Sequence, residues 1–174
     1  MYTFDSRIRY SEVDSEGKLT MAALINYFQD CSTFQSEDLD LGVRYLRETH
    51  LVWVLCFWQI VVERYPELGE KVTIGTQPYD MKGFLGYRNF AMLDEQGNYI
   101  AKANTLWSLL NTETGKPTAV PDIMAERYTP RSEAGDGLFF QKDYDSRKRR
   151  GTRGAYSEKA SPGYQPSCQQ PTIS

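Results

Sequence analysis

The stretch LVWVLCFWQIVV at Leu51–Val62 constrains what this chain can fold into, because almost every residue in it is apolar. It is too short to span a bilayer, and its β-branched and aromatic residues favour a strand. Strict alternation would divide the strand into two faces, one with Val52, Val54, Cys56, Trp58 and Ile60 and the other with Trp53, Leu55, Phe57 and Val61. Both faces are apolar, so we expect a helix to cover one and a second domain or partner subunit to cover part of the other.

A long amphipathic helix is predicted before this strand, over MAALINYFQDCSTFQSED with Thr20 as its N-cap. Its predicted apolar stripe recurs at helical spacing and consists of Met21, Leu24, Ile25, Phe28 and Cys31.

Strands are predicted on both sides of this helix. A first strand comes from YTFDSRIRYSEV, and a short second helix, GVRYLRET, precedes the apolar stretch. Four further strands, joined by turn-forming segments, are predicted at Leu51–Tyr65, Lys71–Tyr79, Phe84–Leu93 and Tyr99–Asn111. Strands that follow one another with short connections favour an antiparallel α+β domain.

Composition narrows the class of protein. The net charge of −3 over 174 residues gives no reason to expect nucleic-acid binding. No secretory signal or membrane span is predicted, and Cys31, Cys56 and Cys168 lack metal-binding spacing, which favours free thiols in the cytoplasm. Cys31 on the helix and Cys56 in the apolar strand are expected to be buried and unreactive.

Three segments carry a family resemblance: RYSEVDSEGKLTMAALINYFQDCS at Arg9–Ser32, the phrase ERYPELGE, and the phrase LWSLLNTETGKP. In order and spacing they resemble the bacterial acyl-acyl-carrier-protein thioesterases, a double-hotdog family, over roughly residues 3–130. The resemblance implies a hotdog domain at residues 1–130, an antiparallel sheet wrapped around one long helix. It also implies hydrolysis of the thioester between a fatty acyl chain and the phosphopantetheine of acyl carrier protein, with no metal or redox cofactor.

The catalytic motif of that family has the form D-x-N-x-H-V-N-N and lies in its second repeat. The matching place here reads DSEGKLTM, in which Asp14 is kept, Glu16 replaces Asn and Lys18 replaces His. The only histidine, His50, stands before a strand and is expected to be structural. The first repeat is therefore not expected to catalyse the family reaction alone. Two alternatives stay open: a dimeric single-repeat acyl-CoA thioesterase using Asp14, and a non-catalytic acyl-binding module.

The C-terminal segment 131–174 is polar and strongly basic in part, unlike the preceding domain. When Glu158–Ile173 is back-translated and the reading frame is moved forward by one base, the possible codons include a set that encodes KKHHLDTNHHVNNRQY. This peptide contains the family motif. The same shift of KDYDS at Lys142–Ser146 permits KITIP, while Pro171 does not permit the Gly that usually follows the paired Asn. We therefore expect residues 131–174 to be the start of a second repeat, read out of frame and disordered.

An apolar ligand needs a concave apolar wall, and aromatic residues are the natural candidates for it. The simplest interpretation of a group of aromatic residues is that they belong to the hydrophobic core; these are Tyr27, Phe28, Phe34, Trp53, Phe57, Trp58 and Trp107. Of these, Tyr27, Phe28, Phe34, Trp53 and Phe57 are predicted to line an acyl pocket, and Asp14 is the predicted catalytic residue.

Overall fold

A computed structural model describes residues 1–128 of the chain. Its sheet has five antiparallel strands in the order β1-β3-β4-β5-β2. The strands are β1 Tyr2–Arg7, β2 Leu51–Val62, β3 Lys71–Lys82, β4 Leu85–Leu93 and β5 Tyr99–Asn111, and the helices are α1 Met21–Asp38, α2 Val43–Glu48 and α3 Asp122–Tyr128. The predicted α+β hotdog fold is confirmed. The expectations for residues 131–174 lie outside the described residues.

Helix α1 begins where the sequence predicts, because the Thr20 hydroxyl oxygen accepts a hydrogen bond from the Ala23 backbone N–H at 3.2 Å. Its buried residues are Ala23, Leu24, Tyr27, Phe28 and Cys31. Met21, which the predicted stripe includes, is instead 41% exposed. The Phe28 ring stacks with two aromatic rings of the sheet, its centroid lying 5.2 Å from that of Phe90 and 6.2 Å from that of Trp58. The helix is thus fixed against the middle of the sheet.

Strand β2 does not alternate strictly, and the predicted division of its two faces is wrong beyond Leu55. Leu55 pairs with Trp107 and Phe57 with the adjacent Leu106, so Cys56 is an extra residue in a β-bulge. The bulge shifts the alternation by one residue. Trp53 and Trp58 therefore share the face that packs against the core, although the sequence placed them on opposite faces.

The same bulge explains why Cys56 is exposed, contrary to the expectation that it is buried, whereas Cys31 is buried as predicted. The outer face of β2 keeps its apolar side chains, and Val52, Val54, Phe57 and Val61 are 37%, 40%, 52% and 42% exposed. We call these four residues the β2 outer patch. Strand β2 is also an edge of the five-stranded sheet. Within residues 1–128, β2 therefore combines an exposed apolar patch with a position at the edge of the sheet.

Within residues 1–128, none of the helices combines the length and apolar character needed to cross a membrane.

Candidate functional site

A cavity of about 260 Å³ lies between α1, α2, the end of α3 and the inner face of the sheet. The apolar part of its wall includes Leu46, Trp53, Pro78, Met81 and Trp107. Its polar part is formed by Gln29, Ser32, Thr33, Ser36, Arg88 and Tyr128. Two indoles beside aliphatic side chains suit an apolar ligand, and the polar groups suit its orientation.

The two tryptophans are held in place by their neighbours on the sheet. A Cβ added at Gly86 would lie 3.1 Å from two ring atoms of Trp53, so glycine allows the indole to approach β4 closely. The Trp107 indole N–H donates to the Thr105 hydroxyl at 2.8 Å, and that hydroxyl donates to the Arg88 carbonyl oxygen at 2.8 Å. The apolar wall is therefore fixed by packing and by hydrogen bonds.

Arg88 is a buried cation in this wall, with only 9% of its surface exposed. Its Nη1 donates to the side-chain oxygen of Gln35 at 2.6 Å and to the Thr76 hydroxyl at 3.1 Å. Its Cζ lies 5.4 Å from the centroid of the Tyr128 ring. Burial lowers the pKa of Arg88 to about 10, so the side chain remains charged near neutral pH.

Sequence reasoning missed Arg88, although a signal was present. In LGYRNFAML the alternate residues Gly86, Arg88, Phe90 and Met92 are all buried, and Arg88 is the one charged member. A charge at a core-facing position of an otherwise apolar strand marks a candidate functional residue, because an isolated buried charge is costly.

Asp14 closes an exposed turn and does not line the cavity. Its Oδ1 accepts hydrogen bonds from the backbone N–H groups of Glu16 and Lys18, at 2.9 and 3.0 Å. Lys18 Nζ lies 3.1 Å from Glu16 Oε2, so these two side chains form an ion pair with each other. The turn is therefore held by its own internal hydrogen bonds and ion pair.

Of the five aromatic residues predicted to line a pocket, the structure brings Trp53 to the cavity wall. Tyr27 and Phe28 are buried in the core, and the Tyr27 hydroxyl donates to Glu12 Oε2 at 2.7 Å. Phe34 is 44% exposed and packs edge-on against Phe4. Phe57 belongs to the β2 outer patch, away from the core-facing side of the sheet.

His50 lies at the junction of α2 and β2, with a backbone φ of 56°. Its Nδ1 is 3.7 Å from Glu113 Oε1, and both side chains are more than half exposed. It is not part of the cavity wall.

Comparison with known proteins relates this chain to a family of known members. The chloroplastic acyl-[acyl-carrier-protein] hydrolase FATB1 of Cuphea viscosissima is 25% identical in an alignment of 131 residues that covers 71% of this chain and 31% of that protein. An acyl-ACP thioesterase from Bacteroides thetaiotaomicron has a similar structure, with a TM-score of 0.67 and 28% identity over 76% of this chain and 54% of that one. A protein described as an oleoyl thioesterase from Lactobacillus plantarum has a TM-score of 0.71 and 26% identity, covering 78% of this chain and 58% of that one.

The chain thus spans about a third of the curated relative and little more than half of the two solved relatives. The family match itself covers residues 1–128, all the residues that the structure describes. The chain belongs to the acyl-ACP thioesterase N-terminal domain family.

Proposed function

We propose that residues 1–128 form the acyl-binding part of an acyl-ACP thioesterase, an enzyme that hydrolyses acyl-carrier-protein thioesters and releases free fatty acids. The observation that carries the proposal is the cavity between α1, α2 and the sheet, with Trp53 and Trp107 in its apolar wall. Burying the methylene groups of an acyl chain against such a wall is favourable, at about 0.8 kcal/mol for each buried CH₂.

Thioester hydrolysis also needs a base to activate water and donors to stabilise the oxyanion. At the helix entrance where the family motif would supply them, Asp14, Glu16 and Lys18 are engaged with one another and with the turn backbone. We propose that the carboxylate, His and Asn of the reaction come from a second repeat. Residues 131–174 would be the start of that repeat, translated out of frame.

The protein is proposed to act in the cytoplasm, in fatty acid biosynthesis, on acyl groups carried by acyl carrier protein. Neither nucleic acid nor membrane is a proposed partner. The β2 outer patch lies on the edge strand of the sheet, and we propose that a partner covers it. We propose a second repeat as this partner, and a second copy of the chain in a homodimer as the alternative.

The test is calorimetric binding of octanoyl-acyl-carrier-protein and of the same carrier protein without an acyl group. The 174-residue chain should bind the octanoyl form more tightly, because only that form can fill the cavity. Trp53→Leu should weaken binding of the octanoyl form and leave the weak binding of the unacylated carrier unchanged. Equal affinity for the two carriers would contradict the proposed acyl site.

A further inference from the structure

Within residues 1–128, the cavity contains a cation, Arg88, for which no anionic partner is found. In the described part of the chain, Arg88 forms no ion pair with an Asp or Glu, and its two hydrogen-bond acceptors, Gln35 and Thr76, are neutral. A buried charge with only neutral partners is costly, by several kcal/mol in general. The cost falls when an anion or another strong acceptor binds beside it.

Some N–H donors of the Arg88 guanidinium also have no partner within residues 1–128. Both described bonds use Nη1, and within residues 1–128 no partner is found for the N–H groups of Nε and Nη2. In the described residues, the fully buried side-chain polar atom without a partner is Asn89 Oδ1, so Nε and Nη2 of Arg88 are not fully buried. Arg88 also lines the cavity. The unused donors are therefore reachable from the cavity.

The hydroxyl groups of Ser36 and Tyr128 are already occupied as donors. Ser36 donates to the Ser32 carbonyl oxygen at 2.8 Å, so in the 2.8 Å contact between Ser36 and Tyr128 the Tyr128 hydroxyl is the donor. Arg88 consequently has the strongest unused donors facing the cavity. The same cavity has an apolar wall with two indoles, so it suits a ligand that combines an apolar chain with an acceptor oxygen.

We infer that Arg88 binds an acceptor oxygen, above all a carboxylate, at the end of the chain held in the cavity. This rests on the proposed acyl-binding function. With the thioester outside the cavity, the end that meets Arg88 is the far end of the acyl group. The domain then selects acyl chains with an oxygenated far end over chains that end in a methyl group.

Octanoate and 1-octanol are suitable probes, because they share one apolar chain and differ in the charge of the oxygen group. Calorimetry of the full 174-residue chain at slightly alkaline pH should give about tenfold or more tighter binding of octanoate, as expected for a charge-assisted hydrogen bond. This comparison needs no variant, so it decides the inference even if a substitution at Arg88 impairs folding.

Arg88→Met should remove the preference, so that octanoate binds no more tightly than 1-octanol does. Arg88→Lys keeps the charge and should retain part of the preference. The matched control is Arg44→Met, which removes an arginine whose side chain is 89% exposed on α2, and it should keep the full preference. Circular dichroism checks that each variant is folded.

The outcomes separate the inference from the function on which it rests. Equal binding of octanoate and 1-octanol to the unsubstituted chain overturns the role of Arg88 but leaves an apolar acyl site. A preference that persists in Arg88→Met, or disappears equally in Arg44→Met, overturns it as well. If neither probe binds, the inference and the proposed acyl site both fail.

Discussion

Lys18 Nζ lies 3.1 Å from Glu16 Oε2, inside a turn that the Asp14 carboxylate closes through two backbone N–H groups. In the catalytic motif of the thioesterase family, His stands at the position of Lys18 and Asn at the position of Glu16. A side chain that binds its neighbour is poorly placed to activate water or to hold a thioester carbonyl. The local geometry at this turn therefore does not favour the family chemistry there.

Asp14→Ala should destabilise the domain, whereas Asp14→Asn should be nearly neutral. Alanine removes the acceptor for the N–H groups of Glu16 and Lys18, at a cost of about 1 kcal/mol, while the Asn side chain keeps an acceptor oxygen. Urea unfolding of the two variants measures the difference. Equal loss of stability in both would show that the negative charge, rather than the hydrogen bonds, matters here.

Gly86→Ala should narrow the cavity by pushing on the Trp53 indole, because the added Cβ would lie 3.1 Å from that ring. We expect several-fold weaker binding of 1-octanol, with a stability loss of about 1–3 kcal/mol from overpacking. The test is a double-mutant cycle with Trp53→Leu, which removes the clash. Additive effects of the two substitutions would contradict a direct contact between residues 86 and 53.

Cys56 should react quickly with an aromatic disulfide reagent in the native protein, and Cys31 should react only after denaturation. Cys56 is exposed at the β-bulge, whereas burial raises the pKa of the Cys31 thiol to about 12 and keeps it protonated. The measurement is the number of thiols labelled in a Cys168→Ser background. Two fast thiols in the native state would rule out this arrangement of β2 and α1.

The 174-residue chain should self-associate, because the β2 outer patch exposes apolar side chains, with Phe57 the most exposed at 52%. Light scattering should give a mass above the 20.0 kDa of one chain, and Phe57→Ser should lower it. The control is Phe84→Ser, which alters a residue that is 44% exposed but lies outside β2. A stable 20.0 kDa species in the unsubstituted protein contradicts the expectation.

The sequence predicts the fold better than it predicts the site, for a physical reason. Apolar periodicity and the Thr20 cap are local signals, and they place α1 and the strands well. The bulge at Cys56 depends on pairing with Trp107 and Leu106, so alternation along β2 alone misassigns Trp58 and Phe57. Register between strands is a non-local property, and a single bulge reverses the face of every residue that follows.

The cavity was harder still to predict, because aromatic content does not distinguish core from wall. Tyr27 and Phe28 are aromatic and central, yet they pack in the core, whereas Trp53 reaches the cavity beside Gly86. Arg88 would have been found by asking which strand positions break an apolar face. A charged residue at a position predicted to be buried is a better indicator of a functional site than a large aromatic residue is.

Hydrolysis of octanoyl-acyl-carrier-protein tests the central claim, that this domain binds the acyl chain but does not catalyse its release. The 174-residue chain should release octanoate no faster than the protein-free solution, and Asp14→Asn should change nothing. A chain expressed with the reading frame moved forward one base after about residue 140 should hydrolyse the substrate. Turnover by the 174-residue chain at a rate similar to the frame-shifted one, abolished by Asp14→Asn, would contradict the account and establish Asp14 as catalytic.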